Sequence, residues 1–150
     1  MHTPESEQAA LSTALPLGLG LAELERRLTK GLSLILSEEK ATLEQWRALA
    51  AIAALQAPTM SELASDTGLP PATLTRTIDS LVDDALVFRL ASKDDRRRTN
   101  VYLSEFGRLK LDRLNTMSEA WSESLTRDLG ATQTSALTSA VSDALEILRS

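Results

Sequence analysis

Arg96, Arg97 and Arg98 are consecutive and follow Lys93, Asp94 and Asp95. A guanidinium is permanently charged and presents a planar fork of N–H donors that matches phosphate and carboxylate oxygens. Several in succession suit an anionic surface such as a nucleic-acid backbone, whereas a charge run without special context is a solvated turn. The context here is two short apolar runs, Leu86 to Ala91 and Val101 to Leu103. Runs of that length read as strands, which puts the charges at the tip of a β-hairpin. Charge is also segregated along the chain. Residues 86–113 hold eight basic and four acidic side chains, a local +4 in a chain of net charge −5, so the remainder carries −9.

Other chemistries lack their residues. The single histidine is His2 and there is no cysteine, which removes histidine acid–base catalysis, histidine metal clusters, thiol nucleophiles and disulfides. Glu38-Glu39 and Asp83-Asp84 are sequence neighbours that diverge on a helix or loop, so solvation is their default reading. Gly18-Leu19-Gly20 has no strand before it and makes no nucleotide fingerprint. The chain is therefore expected not to be an enzyme and to need no cofactor or metal. No apolar run approaches the ~20 residues of a membrane span, and Met1 to Thr13 has no Lys or Arg and no signal-like core. A cytoplasmic protein without a membrane partner is the expectation.

The elements that must position the arginines are mostly helical. With 150 residues, 43% hydrophobic and only 3% aromatic, the chain can bury one core of Leu, Ala, Ile and Val. Residues 1–13 read as a flexible tail and 14–150 as a single domain. Leu17, Leu21, Leu24, Leu28, Leu32 and Ile35 recur at helical spacing and predict a first amphipathic helix over about 16–36. Thr42-Leu43-Glu44-Gln45 fits a capping box, opening a helix to about Gln56 that buries Trp46, Leu49, Ala50 and Ala53. Thr59-Met60-Ser61-Glu62 is a second capping box, before a short helix over residues 62–67 that Gly68 ends. Pro70-Pro71 then starts another helix, with Leu74, Ile78, Leu81, Val82 and Ala85 inward and Thr73, Arg76, Thr77, Asp79, Ser80 and Asp83 largely outward.

A short helix, a tight turn with glycine and a second helix carrying small polar residues and an early arginine form a helix-turn-helix. By itself this is also how two helices of an ordinary bundle read. The hairpin that follows at once makes the order that of a winged helix-turn-helix over about 42–103. The second helix then suits a major groove, and the arginines of the wing suit phosphates or a narrow minor groove.

The residues Leu43-Glu44-Gln45-Trp46-Arg47-Ala48-Leu49, Thr59-Met60-Ser61-Glu62-Leu63-Ala64, Thr73-Leu74-Thr75-Arg76, Leu86-Val87-Phe88-Arg89, Asp95-Arg96-Arg97 and Leu103-Ser104-Glu105-Phe106-Gly107 resemble, in order and spacing, the landmarks of the MarR family (multiple antibiotic resistance regulators). The Asp-Arg-Arg wing with the following Leu-Ser-x-x-Gly is the most specific part. The resemblance implies a mainly α fold, a winged helix-turn-helix with terminal helices in an intertwined dimerisation region. It also implies a homodimeric, ligand-responsive transcriptional regulator, usually a repressor, bound to a palindromic operator in double-stranded DNA. A winged-helix module that binds protein rather than DNA is the alternative.

Within that pattern the DNA-facing candidates are Thr59, Ser61, Thr73, Thr75, Arg76, Asp95, Arg96, Arg97 and Arg98. Asp95 is expected to brace the Arg97 guanidinium and aim it at the groove, with Arg96 and Arg98 on phosphates. The chain departs from the family at Pro70-Pro71-Ala72, which leaves few side chains to read bases, and at Ala85, where a glycine is usual. A left-handed residue there would cost ~1 kcal/mol.

A helix from Ser104 carries Phe106, Leu109, Leu114, Met117, Trp121 and Leu125, and a last one carries Leu137, Val141, Ala144, Leu145 and Leu148. Together with the first helix, these segments (about 16–36 and 104–149) are the expected dimerisation region, which would set two recognition helices ~34 Å apart. Trp46, Met117 and Trp121 are the candidates for binding a small aromatic or amphipathic effector, although large apolar residues at helical spacing are more often plain core.

Overall fold

Local signals set the order of the elements: α1 (Leu17–Glu38), α2 (Leu43–Leu55), α3 (Met60–Thr67), α4 (Pro71–Asp83), β1 (Val87–Ala91), β2 (Thr99–Leu103), α5 (Glu105–Leu129) and α6 (Ala131–Leu148). The structure, a computed structural model, describes residues 15–149. The tail expected over residues 1–13, with His2, lies outside them. The architecture is mainly helical, with one antiparallel pair of strands, a winged helix-turn-helix between longer terminal helices.

Both capping boxes form. The Thr42 hydroxyl accepts from Gln45 N at 3.1 Å while the Thr42 N–H donates to Gln45 Oε1 at 3.0 Å. Thr59 and Glu62 repeat the arrangement at 3.2 and 2.8 Å, each satisfying helix-start donors that would otherwise be orphaned. The second box starts α3 at Met60, two residues before the expected position, because the capping residue itself sets the first turn. Gly68 ends α3 at φ 65°, a left-handed conformation that costs glycine nothing sterically.

Leu36, Leu49, Ile52, Leu63, Leu74, Ile78, Leu81, Val101 and Leu114 are large aliphatic side chains fully withdrawn from solvent. Each such aliphatic contributes about 1.5–3 kcal/mol on burial. They come from α1, α2, α3, α4, β2 and α5, so the winged part and the scaffold share one core. The buried side of α2 differs from the expectation. Ala50 is exposed, and Ala48, Ala51 and Ile52 are buried beside Leu49, because α2 packs against α3 and α4 on one side and α5 on another.

Two expectations for α4 also change. Thr77 is buried, and its hydroxyl donates to the Thr73 carbonyl at 2.8 Å, which removes the penalty for a buried hydroxyl. Ala85 is exposed and off the inner face, at φ 57°. Its N–H donates to the Val82 carbonyl and the Leu86 N–H to the Leu81 carbonyl, both at 2.9 Å. This is a Schellman closure, so alanine occupies the left-handed site that glycine ordinarily fills.

The strands pair from Val87 with Leu103 to Ala91 with Thr99. Phe88 and Tyr102 face each other across the pair and stack at 5.3 Å between ring centroids. Asn100 and Val101 also tie the hairpin to the loop before α3. Asn100 Nδ2 donates to the Ala57 carbonyl at 2.6 Å, and the Val101 N–H to the Pro58 carbonyl at 2.8 Å.

The terminal helices form the scaffold. Helix α1 packs on α5, where Trp121 Nε1 stands 3.1 Å from the position of a Cβ on Gly31. The stripe expected on α5 splits. Leu114 is buried together with Leu111, while Phe106 and Leu109 are 69% and 51% exposed. Among the described residues α6 buries none, and Val141, Leu145, Ile147 and Leu148 are exposed.

Candidate nucleic-acid interface

The wing loop, residues 92–98, is held by its own backbone. The Ser92 N–H donates to the Arg98 carbonyl at 2.7 Å, and the Arg98 N–H to the Asp95 carbonyl at 2.9 Å. Asp95 Oδ1 accepts the Arg97 backbone N–H at 2.9 Å. The carboxylate therefore turns the loop through the main chain and does not brace the Arg97 guanidinium as expected. It presents the arginines by shaping their backbone. Arg96, Arg97 and Arg98 are all exposed.

On α4, Ala72, Thr75, Arg76, Asp79 and Asp83 follow helical spacing along one exposed face. Thr75 donates its hydroxyl to the Pro71 carbonyl at 2.9 Å, and Thr73 is partly covered. Arg76, Thr73, Thr77 and Ser80 border an open groove with Thr42, Glu44 and Gln45 of the α2 start. Gln45 Nε2 donates to Ser80 Oγ at 3.0 Å, which fixes the two helices relative to each other. Ser61 is exposed at the beginning of α3, whereas the Thr59 hydroxyl is engaged in capping. Among the described residues, no carboxylate pairs with Arg76, Arg96, Arg97 or Arg98.

The wing is joined to α4 by a pair that the sequence reading did not single out. Arg89 Nη2 of β1 lies 2.5 Å from Asp79 Oδ1. Period-two alternation puts Arg89 on the face of β1 with the buried Val87, opposite Phe88 and Leu90. That alternation was available in the sequence; the partner helix was not.

A second feature lies below the interface. A cavity of about 380 Å³ opens between the α1–α2 junction, the end of α4 and α5, lined by Gln45, Leu49, Leu81, Asp84, Leu86, Phe106, Leu109, Lys110 and Arg113 among others. Phe106, Leu109, Lys110 and Arg113 fall at i, i+3, i+4 and i+7, a spacing that marks them as one α5 face. Glu39 holds both cations, at 3.6 Å from Lys110 Nζ and 3.1 Å from Arg113 Nε. The expected effector candidates lie elsewhere. Trp46 donates its indole N–H to Asn115 Oδ1 at 2.9 Å and packs against the core. Met117 is half-buried and Trp121 covers Gly31, and none of the three lines this cavity.

The family model described as MarR family matches residues 41–98, from the start of α2 through the wing arginines. A mutant MarR from E. coli complexed with operator DNA is 25% identical, with a TM-score of 0.77 over 87% of this chain and 94% of that one. The chain resembles MarR in that segment and in its fold.

The MarR fold extends beyond the matched segment. The transcriptional repressor CouR, bound to a 23-mer DNA duplex, is 22% identical, with a TM-score of 0.80 over 97% of this chain and 99% of that one. Bordetella bronchiseptica BpsR, whose DNA binding is regulated by 6-hydroxynicotinic acid, is 20% identical, with a TM-score of 0.77 over 87% and 94%. No curated protein sequence matches the chain significantly. Among the described residues no group of His, Asp or Glu is placed to hold a metal ion, and no helix is long and apolar enough to cross a membrane.

Proposed function

We propose that this chain is a MarR-type sequence-specific DNA-binding transcriptional regulator, acting as a homodimeric repressor on a palindromic operator. One observation carries the reading: the wing presents three exposed arginines that have no carboxylate partner among the described residues, on a hairpin joined to the exposed face of α4 that bears Arg76. Unpaired guanidiniums suit phosphate oxygens and the acceptors of a groove edge. Thr73, Thr75 and Arg76 then read bases from the first turns of α4, and Ser61 and Thr59 stand at the α3 start. Arg97 is assigned to the groove, Arg96 and Arg98 to the backbone.

The scaffold supplies the dimer. Leu17, Leu21 and Leu34 of α1 and Val141, Leu145, Ile147 and Leu148 of α6 are exposed, an apolar surface that a second copy would cover. Two wings and two recognition helices then meet half-sites of opposite orientation.

A small aromatic or amphipathic anion is the proposed effector, with the cavity beside α5 as its site. Its aliphatic and aromatic wall suits a ring, and Lys110 and Arg113 suit a carboxylate, in competition with Glu39. The ligand releases DNA only if it binds one spacing of the two winged domains better than the other. Mobility shift with the DNA upstream of the chain's own gene tests the reading. Salt-sensitive binding to a palindrome supports it. Absence of binding at low salt favours the protein-interaction module, which the net charge of −5 would suit.

A further inference from the structure

We propose that Arg89 is a positioning residue for DNA recognition, acting through Asp79: it neutralises a carboxylate on the DNA-facing side of α4 and so leaves the neighbouring Arg76 free for DNA. The inference rests on the DNA-binding reading above.

Asp79 follows Thr75 by four residues and Arg76 by three, so all three share one exposed face. Its side chain is 54% exposed, and that of Arg89 35%. A carboxylate here is unfavourable in two ways. Phosphates repel it, and the major-groove edge of each base pair offers two acceptors to one donor group. It is also within reach, by helical spacing, of the Arg76 guanidinium, which it would hold away from DNA. Arg89 occupies Asp79 Oδ1 at 2.5 Å, and Arg76 has no ion-pair partner among the described residues. The pair thus leaves Arg76 free while masking the charge beside it.

Exposed pairs contribute little to folding, so the effect belongs to binding and is separable from stability. The placement of Arg89 follows from β1 itself. Val87 is buried on the same face, which turns that face of the strand toward α4 and brings Arg89 to the helix side.

A charge-masking residue differs from a DNA contact in one respect: its loss is repaired by removing the charge it masks. Binding to operator DNA and to random DNA is measured by fluorescence anisotropy across a salt series, for the unaltered protein, R89A, R89K, D79N and the double variant D79N/R89A. R89A is expected to weaken operator binding about tenfold. R89K, which keeps the charge, is expected to bind close to the unaltered protein. D79N/R89A is expected to recover to within about threefold of it with an unchanged salt slope, since no phosphate contact is lost. A double variant as weak as R89A, with a shallower salt slope, would overturn the proposal and make Arg89 a DNA contact. Unchanged binding by R89A would overturn it as well. Failure of the unaltered protein to bind at low salt would instead remove the DNA-binding reading on which it rests.

Discussion

Gly107 of α5 lies against the carbonyl of Leu86 at the head of the wing: a Cβ on Gly107 would stand 1.9 Å from that oxygen. Ser104 completes the junction. Its hydroxyl donates to the Ala85 carbonyl at 2.6 Å and accepts the Gly107 N–H at 3.0 Å, and its own N–H donates to the Leu86 carbonyl at 3.0 Å. The Ser-x-x-Gly spacing thus fixes where α5 leaves the wing, and couples scaffold to DNA-facing hairpin. Gly107→Ala forces backbone apart and is expected to destabilise the fold by about 2–4 kcal/mol. Ser104→Ala, which removes a cap, is expected to cost about 1 kcal/mol. Urea denaturation followed by circular dichroism reads both as lowered midpoints.

Ala85 offers a change of the opposite sign. At φ 57° its Cβ is strained, and Ala85→Gly relieves that strain while adding freedom to the unfolded chain. A net gain of up to about 0.5 kcal/mol is expected, visible as a slightly higher urea midpoint with an unchanged slope.

The wing arginines divide by role. Arg98→Ala is expected to weaken binding to all DNA sequences alike and reduce the salt slope by about 1, whereas Arg97→Ala is expected to flatten sequence preference. Asp95→Ala removes the acceptor of the Arg97 N–H and is expected to reproduce part of both effects by loosening the loop. Anisotropy titrations on operator and scrambled duplexes separate these outcomes.

Leu145 is 52% and Ile147 72% exposed on α6. Placing a charge there by Leu145→Glu together with Ile147→Glu is expected to yield a monomer in analytical ultracentrifugation. Operator affinity should fall with it, while the far-ultraviolet circular dichroism of the winged part persists.

On α1, hydrogen bonds from Arg26 and then Arg27 hold the Glu23 carboxyl well down, to about 2 from its ordinary 4.5. A depressed carboxyl pKa stabilises the fold above the ordinary value and loses that contribution as pH falls through about 2. Glu23→Gln is therefore expected to melt slightly below the unaltered protein at neutral pH, and the two should converge toward pH 2. The difference stays small because the group is solvent-screened.

How far the sequence was legible follows from the range of each signal. Capping boxes at Thr42 and Thr59, the Gly68 stop and the apolar flanks of the wing act within a few residues, and each marked its element. The arginine run was legible for the same reason. The role of the Asp95 carboxylate is not legible from spacing alone, because an aspartate two residues before an arginine reaches its backbone N–H more easily than its guanidinium. The partnership of Asp79 with Arg89 and the cavity at Lys110 and Arg113 depend on how α4, β1 and α5 pack, which spacing along one segment does not carry. Trp46, Met117 and Trp121 are large apolar side chains at helical spacing, and packing uses Trp46 against the core and Trp121 against Gly31.

Footprinting and anisotropy with the DNA upstream of the chain's own gene, from low to physiological salt, decide whether the wing and α4 recognise an operator. Saturable, salt-sensitive protection of two inverted half-sites about 10 base pairs apart by one dimer is expected; no binding at low salt, or equal affinity for a scrambled duplex, would contradict operator recognition.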